Sequence, residues 1–211
     1  SYFDGLWVSA KKDLMVNIGG FLATRNKKVF EEARNMVVIY EGLHSYGGLA
    51  GRDMEAMARG LEEMVQFDNI SMRVRQVEYC GAELEKFGIP LVYPFGGHAI
   101  FLDAKRFLPH LKQDVFPAQT LAAEIYVDSG VRGMERGLVS SGRDSKTGEN
   151  RYPKLELVRL TFPRRVYTQS HIDVMVESIA DVYDKRKSMK GLKMVYEPKY
   201  LRFFQARFKK L

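Results

Sequence analysis

Residues 2–20, YFDGLWVSAKKDLMVNIGG, carry the strongest indication of the fold in this chain of 211 residues. An apolar run leads into Ser9, Lys11, Lys12 and an aspartate, and a Gly19-Gly20 pair closes the segment. A serine hydroxyl three residues before a lysine, ahead of a glycine turn, suits a phosphate-anchored cofactor that is attached to the amine of Lys12. Lys-Lys-Asp alone is more often a solvated surface string, so the interpretation depends on the rest of the sequence.

The composition is that of a soluble globular protein, with 45% hydrophobic and 28% charged residues. No apolar run approaches the roughly 20 residues that a membrane helix needs, and no signal segment opens the chain. We therefore expect a cytoplasmic protein with no membrane partner. The single cysteine, Cys80, lies in a helix-like stretch and is expected to be a buried, inert thiol. The histidines show no metal-ligand spacing.

The formal charge of +7 is concentrated at the end of the chain. Residues 185–211 contain ten basic residues and one acidic residue, so the other 184 residues carry a net charge of −2. Basic and aromatic residues interleave in this tail, as a platform for single-stranded nucleic acid would require. An edge strand that is protected by lysines and arginines, with its aromatic side chains turned inward, explains the same pattern. We favour the edge strand and predict no nucleic-acid partner.

Hydrophobic periodicity and turn residues predict a mixture of strands and helices without an internal repeat, and hence an α/β or α+β fold. After a strand that opens the chain, the predicted strands are 20–24, 91–93, 98–102, 131–140 and 155–162. The predicted helices are 27–34, 53–65, 69–88 with Asn69 as the N-cap, 117–128 with proline in the first turn, and 172–183 with Thr168 or Ser170 as the N-cap. Residues 36–40 are predicted as an apolar stretch that leads into a loop.

Eight motifs, spread from one end of the chain to the other, form a specific set. They are 2–20, 40–42 (YEG), 45–58 (SYGGLAGRDMEAMA), 96–99 (GGHA), 116–119 (FPAQ), 133–137 (GMERG), 157–161 (LVRLT) and 201–204 (LRFF). In this set the chain resembles the β-eliminating lyases, the family that contains tyrosine phenol-lyase and tryptophanase. It departs from the attachment signature of that family chiefly at Val8, where methionine is usual.

The resemblance implies an α/β fold of the aspartate-aminotransferase type (fold type I), in which a large cofactor domain and a small C-terminal domain close on the substrate. Because the chain starts at Ser1 without the upstream elements of a cofactor domain, we expect the C-terminal portion of a longer polypeptide, inactive alone. We predict that residues 1–100 are the trailing part of the large domain with bridging helices. Residues 101–211 are then the small α+β domain. The family resemblance also implies a homotetramer.

The activity that the resemblance implies is pyridoxal-phosphate-dependent β-elimination of L-tyrosine to phenol, pyruvate and ammonia. Lys12 then holds the cofactor and serves as the base, which requires a neutral amine. Lys11 is the neighbouring cation that favours the neutral form, and Ser9 donates a hydrogen bond to the cofactor phosphate. Asn17 matches a family position that binds a potassium ion through its backbone oxygen.

Five further residues are implied on the substrate side. Arg159 matches the arginine that grips the substrate carboxylate. Arg136 stands where an arginine contacts the phenolic oxygen and where tryptophanases have an aliphatic residue. Phe203 likewise matches the tyrosine-cleaving branch, whereas tryptophanases tend to have histidine there. His98 and Tyr46 match family positions near the cofactor.

Two alternatives stay open. The pair Leu43-His44 replaces the Met-Pro pair that is usual before Ser-Tyr-Gly-Gly, so a tryptophanase-like or otherwise shifted substrate preference is compatible with the sequence. From a different class of protein, the basic tail allows a non-catalytic binding module. The lyase requires cofactor chemistry on one lysine, whereas the binding module requires salt-dependent binding of nucleic acid.

Overall fold

The computed structural model describes residues 2–45 and 48–211, which form two compact units, Ser1–Met72 (unit 1) and Arg73–Leu211 (unit 2). The predicted domain boundary near residue 100 stays a prediction. Within the described ranges, no helix combines the length and the apolar character that crossing a membrane demands.

Unit 1 begins with two antiparallel strands, β1 (Gly5–Ser9) and β2 (Gly20–Thr24), in which Ser9 pairs with Gly20. This confirms the strand that was predicted for residues 20–24. Gly19 has a φ of +108°, which a side chain rarely permits, and a Cβ at Gly20 would lie 2.6 Å from the carbonyl oxygen of Val8. Both glycines of the closing pair are therefore required by the backbone.

The helices of unit 1 are α1 (Ala10–Asp13), α2 (Lys27–Tyr40) and α3 (Gly51–Met64), followed by α4 (Phe67–Lys86), which continues into unit 2. The prediction that a helix ends at Arg34 was wrong. No glycine or proline interrupts the segment before Gly42, so the apolar residues 36–40 continue α2. Asn26 begins this helix, because its side-chain oxygen accepts a hydrogen bond from the amide of Val29 at 3.2 Å.

The predicted capping role of Asn69 was also wrong. Helix α4 begins at Phe67, two residues earlier. The side-chain amide of Asn69 instead donates a hydrogen bond to the carbonyl oxygen of Glu63 at 2.8 Å. It thus adds a second hydrogen bond to a carbonyl group in the last turn of α3, which also accepts from the amide of Gln66 at 3.2 Å.

The sheet of unit 2 has three antiparallel strands in the order β3 (Ala99–Asp103), β5 (Leu157–Thr161), β4 (Met134–Arg136). Strands β3 and β5 confirm the predictions for residues 98–102 and 155–162. The predictions for 91–93 and 131–140 were too long. Leu91 makes only an isolated bridge with Leu102, and Leu138–Ser141 form a helical turn, α7.

The remaining helices of unit 2 are α5 (Ala104–Phe107), α6 (Pro117–Ser129) and α8 (Gln169–Asp184). Helix α6 starts at a proline as predicted. At the start of α8, Thr168 is the cap, in a reciprocal arrangement with His171, whose Nδ1 lies 3.2 Å from the Thr168 amide nitrogen. Shorter 3₁₀ turns lie at Gln113–Val115 and Arg186–Ser188.

One apolar core joins α4, α6 and α8 to the sheet of unit 2. Its fully buried side chains include Leu84, Leu121, Val158 and Ile179. Cys80 belongs to this core, and burial raises the pKa of its thiol to about 12. The cysteine is thus a small apolar packing group, as predicted.

The chain ends in an antiparallel ribbon of β6 (Leu192–Tyr196) and β7 (Arg207–Lys210), with the short helix α9 (Arg202–Gln205) between them. Phe208 turns inward and meets the ring of Phe116 edge to face, with 5.3 Å between the ring centroids. Tyr196 and Phe204 remain exposed. The ribbon therefore matches the predicted strand with basic residues outward, although only part of its aromatic set is buried.

Candidate active site

The lysine-bearing turn of unit 1 is α1, which lies between the paired strands β1 and β2. Its backbone is held at both ends, because the amide of Ala10 donates to the carbonyl of Gly19 at 3.0 Å and the amide of Leu14 donates to the carbonyl of Ala10 at 2.7 Å. Ala10 and Leu14 are buried, whereas Lys11 and Lys12 are exposed. The turn thus anchors its apolar side and presents both amines to solvent.

Helix α3 packs directly beneath this turn at Gly60, a residue that the sequence analysis did not single out. A Cβ at Gly60 would overlap the carbonyl oxygen of Leu14 and would lie 3.0 Å from the Leu14 Cβ. Only glycine permits so close an approach. The signal that could have identified Gly60 is a glycine inside a clear helical pattern.

The side chains of this turn fit a phosphate-anchored cofactor. Ser9 occupies the cap position of α1, yet its hydroxyl makes no capping hydrogen bond and can donate elsewhere. In residues 2–45 and 48–211, no ion pair or hydrogen bond engages the amine of Lys12. Asn17 lies exposed between α1 and β2. Tyr46 lies outside the described residues.

Arg159 occupies the central strand of the sheet in unit 2, between Phe101 on β3 and Met134 on β4. Its Nη2 donates to the sulfur of Met134 at 3.0 Å, which is a weak acceptor for a guanidinium. Its Nε is buried and has no hydrogen-bond partner in the part of the chain that the structure describes. Burial, and then the charge of Arg136, lower the pKa of Arg159. A carboxylate from a ligand would relieve both the missing hydrogen bond and the repulsion.

Arg136 and Phe203 lie together beside Arg159. Arg136 is at the exposed end of β4, and its Cζ lies 5.3 Å from the centroid of the Phe203 ring, within range of a cation–π contact. Phe203 belongs to α9, and its ring meets that of Phe204 at a centroid distance of 5.0 Å. A cation and an aromatic ring thus share one surface with a half-buried arginine.

His98 immediately precedes β3 and is exposed. Its carbonyl oxygen accepts a hydrogen bond from the amide of Phe162 at 2.8 Å, so its backbone extends the pairing of β3 with β5. Unit 2 therefore carries His98, Arg136, Arg159 and Phe203, and unit 1 carries the lysines, Ser9 and Asn17.

Three buried charged residues next to these positions were missed by the sequence analysis. They are Glu135, Glu156 and Arg202, each at most 8% exposed. Glu135 and Arg202 directly precede Arg136 and Phe203 in the chain. The sequence signal for these residues is a charged residue within an apolar strand or beside an aromatic pair. Because this pattern is also common on protein surfaces, it does not identify a buried charge.

The fold resembles that of serine palmitoyltransferases. The Sphingomonas wittichii enzyme matches with a TM-score of 0.57 at 12% identity, over 89% of this chain and 41% of that protein. A structure of SPT with PLP matches with a TM-score of 0.54 at 13% identity, over 88% of this chain and 41% of that one. The likeness confirms the predicted fold class.

Residues 1–178 match the family described as beta-eliminating lyase, and the chain belongs to this family. Two similar proteins are tyrosine phenol-lyases. The protein from Nostoc punctiforme is 65% identical over 99% of this chain, and the protein from Symbiobacterium thermophilum is 61% identical over 99% of this chain. A tyrosine phenol-lyase from Intrasporangium calvum is 58% identical over the whole chain. The chain spans 44%, 45% and 44% of these three relatives, respectively.

Proposed function

We propose that this chain, as part of a polypeptide of its relatives' length, catalyses the pyridoxal-phosphate-dependent β-elimination of L-tyrosine to phenol, pyruvate and ammonia. The observation that carries the proposal is the surface on unit 2 where Arg159, with a buried Nε that lacks a partner among the described residues, lies beside Arg136 and Phe203. The names of the relatives support the same activity. The PLP that accompanies a structure of the same fold supports the cofactor.

The turn around α1 supplies the residues for the cofactor and the proton. Lys12 holds the cofactor, and the hydroxyl of Ser9 donates a hydrogen bond to its phosphate. When bound, pyridoxal phosphate withdraws electrons from the α-carbon of the substrate and makes the proton there acidic. The freed amine of Lys12 takes that proton onto Nζ, and the charge of Lys11 next to it favours the neutral amine that this step needs.

The surface on unit 2 supplies the contacts to the amino acid. Arg159 binds the α-carboxylate with the guanidinium nitrogens that lack a strong acceptor. Arg136 contacts the phenolic oxygen, where a cation stabilises the negative charge that develops as phenol leaves. Phe203 contributes an apolar face against which the substrate ring packs.

Further features of the enzyme belong to the same proposal. Asn17 binds a potassium ion through its backbone oxygen, His98 and Tyr46 take part in substrate binding by resemblance to the family, and the protein is a cytoplasmic homotetramer. A shifted substrate preference is the second candidate, and the observation that favours it is His44. Its Nε2 lies 3.4 Å from Nη2 of Arg34, a contact that the usual proline is unable to make.

Borohydride reduction of the full-length polypeptide in the presence of pyridoxal phosphate tests the proposal. Peptide mapping should find the reduced cofactor, which is the label, attached to Lys12. The substitution Lys12→Ala should abolish tyrosine cleavage, because the attachment site and the base are lost together. Lys11→Ala is the matched control, which should keep the label on Lys12 and reduce the rate only in part. Label on Lys11, or cleavage of tyrosine by the Lys12→Ala protein, would refute the assignment.

A further inference from the structure

Two buried carboxylates in unit 2 lie beside Gly137, the residue that follows Arg136 in the chain. Glu135 lies on β4 and is 3% exposed, and Glu156 directly precedes β5 and is fully buried. A Cβ at Gly137 would overlap Oε2 of Glu156 and would lie 2.9 Å from Oε1 of Glu135, so both carboxylates border the same small volume. Burial raises the pKa of both groups, and the charge of Glu135 raises that of Glu156 further.

The two carboxylates hold the start of α7 through consecutive backbone amides. Glu135 accepts from the amides of Val139 at 3.1 Å and Ser140 at 2.9 Å. Oε1 of Glu156 accepts from the amide of Leu138 at 3.0 Å and from the side chain of Gln113 at 3.0 Å. Three successive backbone amides of α7 therefore donate hydrogen bonds to this pair of side chains.

Oε2 of Glu156 is the exception, because it is buried and has no hydrogen-bond partner among residues 2–45 and 48–211. An ionised oxygen in that position costs free energy, since it is buried and no donor among the described residues hydrogen-bonds to it. A proton on Oε2 turns the oxygen into a donor, and this donor faces the same small volume beside Gly137 that Oε1 of Glu135 borders. The arrangement thus suits one ionised and one protonated carboxyl group.

Arg202 on α9 favours the ionised form of Glu135 over that of Glu156. Burial lowers the pKa of Arg202, and the charges of Glu197 and Glu135 oppose that shift. The same attraction favours the ionised form of Glu135. The other groups that face the pair are uncharged: Gln113, the hydroxyl of Ser140 and backbone amides that include that of Ala118. The proton therefore belongs on Glu156.

Helix α7 transmits this arrangement to the substrate surface. Leu138 and Val139 form a small buried cluster with Phe116, and Phe203 packs against that cluster. Arg136 in turn lies over the ring of Phe203. A displacement of the first turn of α7 would therefore move the aromatic ring and its cation together.

We propose that Glu135 and Glu156 share one proton and act together as positioning residues that place Arg136 and Phe203 for the aromatic leaving group. The proposal rests on the proposed function for its substrate. It assigns a role to two carboxylates that take no part in cofactor attachment or in binding the amino acid's carboxylate.

Two isosteric variants of the full-length polypeptide test the proposal. Glu156→Gln keeps the acceptor for Leu138 and places an amide donor where the proton lies. It should retain the wild-type ratio of kcat/KM for L-tyrosine to that for an S-alkyl cysteine, which has no ring. Glu135→Gln puts a donor against a backbone amide and should lower that ratio by about tenfold. Equal ratios in the two variants would overturn the positioning role.

The pH dependence of unfolding gives the second measurement. A carboxyl group whose pKa is raised by folding stabilises the protein at low pH, and that stability is lost as the pH rises through the raised pKa. In Glu156→Gln, the free energy of unfolding should depend less steeply on pH than in the wild-type protein, because an amide does not titrate. An unchanged slope of the free energy of unfolding against pH would overturn proton sharing. Failure of the wild-type protein to cleave either substrate would refute the proposed function instead, and the slope would still decide whether the proton is shared.

Discussion

The two units bury their functional residues to different extents. In unit 1, Ala10, Leu14 and Gly60 are the buried residues of the described part, and helix α2 buries none of its side chains. Unit 2 has a continuous core that joins helices to its sheet. The lysines thus lie on a turn that is held by backbone hydrogen bonds and one close helix contact, whereas Arg159 lies on a packed central strand.

This difference indicates that the two sets of residues depend on different interactions. Arg159 lies on a sheet that contributes Ile100, Leu102, Val158 and Leu160 to the core, so the global stability of unit 2 maintains its position. The position of Lys12 depends on the local geometry of α1, because unit 1 buries little apolar surface of its own. Substitutions in the two units should therefore differ in kind as well as in size.

The largest difference is expected between two isoleucines that lie on helices of the two units. Ile179 on α8 is fully buried, and Ile39 on α2 is 67% exposed. Ile179→Ala should lower the free energy of unfolding by about 2–5 kcal/mol, because it leaves a cavity in the core. Ile39→Ala should change it by less than about 0.5 kcal/mol. Denaturant unfolding of the chain measures both, and similar losses would contradict the contrast between the units.

Most of the fold could be predicted where one local signal dominates. Proline at the start of α6 and the apolar stripe of α8 placed both helices, since each pattern matches the packing that the core imposes. The prediction failed at residues 36–40, where Val37, Val38 and Ile39 have high strand propensity. The continuous helix Lys27–Tyr40 overrode that strand propensity. A window of five residues is too short to reveal that a helix continues through it.

The candidate site could be predicted where residues form motifs, but its supporting residues could not. Lys12, Arg136 and Arg159 were predicted because the motifs around them match a family, and their roles stay predictions. The buried state of Glu156 depends on Gly137 and Gln113, which are distant from it in the chain and approach it only in the folded structure. A sequence gives no sign that a particular glutamate is desolvated.

Arg136→Ile should separate the chemistry of the two units. In the full-length polypeptide it should remove about 1.5–3 kcal/mol of transition-state stabilisation for phenol release from L-tyrosine, because a charged hydrogen bond is lost. Turnover of an S-alkyl cysteine should fall much less, whereas Lys12→Ala should stop both reactions. Steady-state kinetics with the two substrates measures the difference.

The control for this substitution is Arg132→Ile, which removes an exposed arginine shortly before β4. It should leave the ratio of kcat/KM for the two substrates unchanged. An equal loss on both substrates in Arg136→Ile would mean that Arg136 stabilises the fold of unit 2 and does not determine specificity.

The smallest effect is expected at Gly60, where helix α3 approaches the lysine-bearing turn of unit 1. Gly60→Ala adds a Cβ that overlaps the Leu14 carbonyl, and overpacking of this kind costs about 1–3 kcal/mol. The better helix propensity of alanine, about 1 kcal/mol, offsets part of that cost. Gly51→Ala on the same helix is the control, since its Cβ would meet no atom of the described residues within 4 Å. Unfolding should be easier for Gly60→Ala alone, and cofactor labelling of Lys12 in the full-length polypeptide should weaken with it. Equal behaviour of the two variants would show that α3 does not hold the lysine-bearing turn.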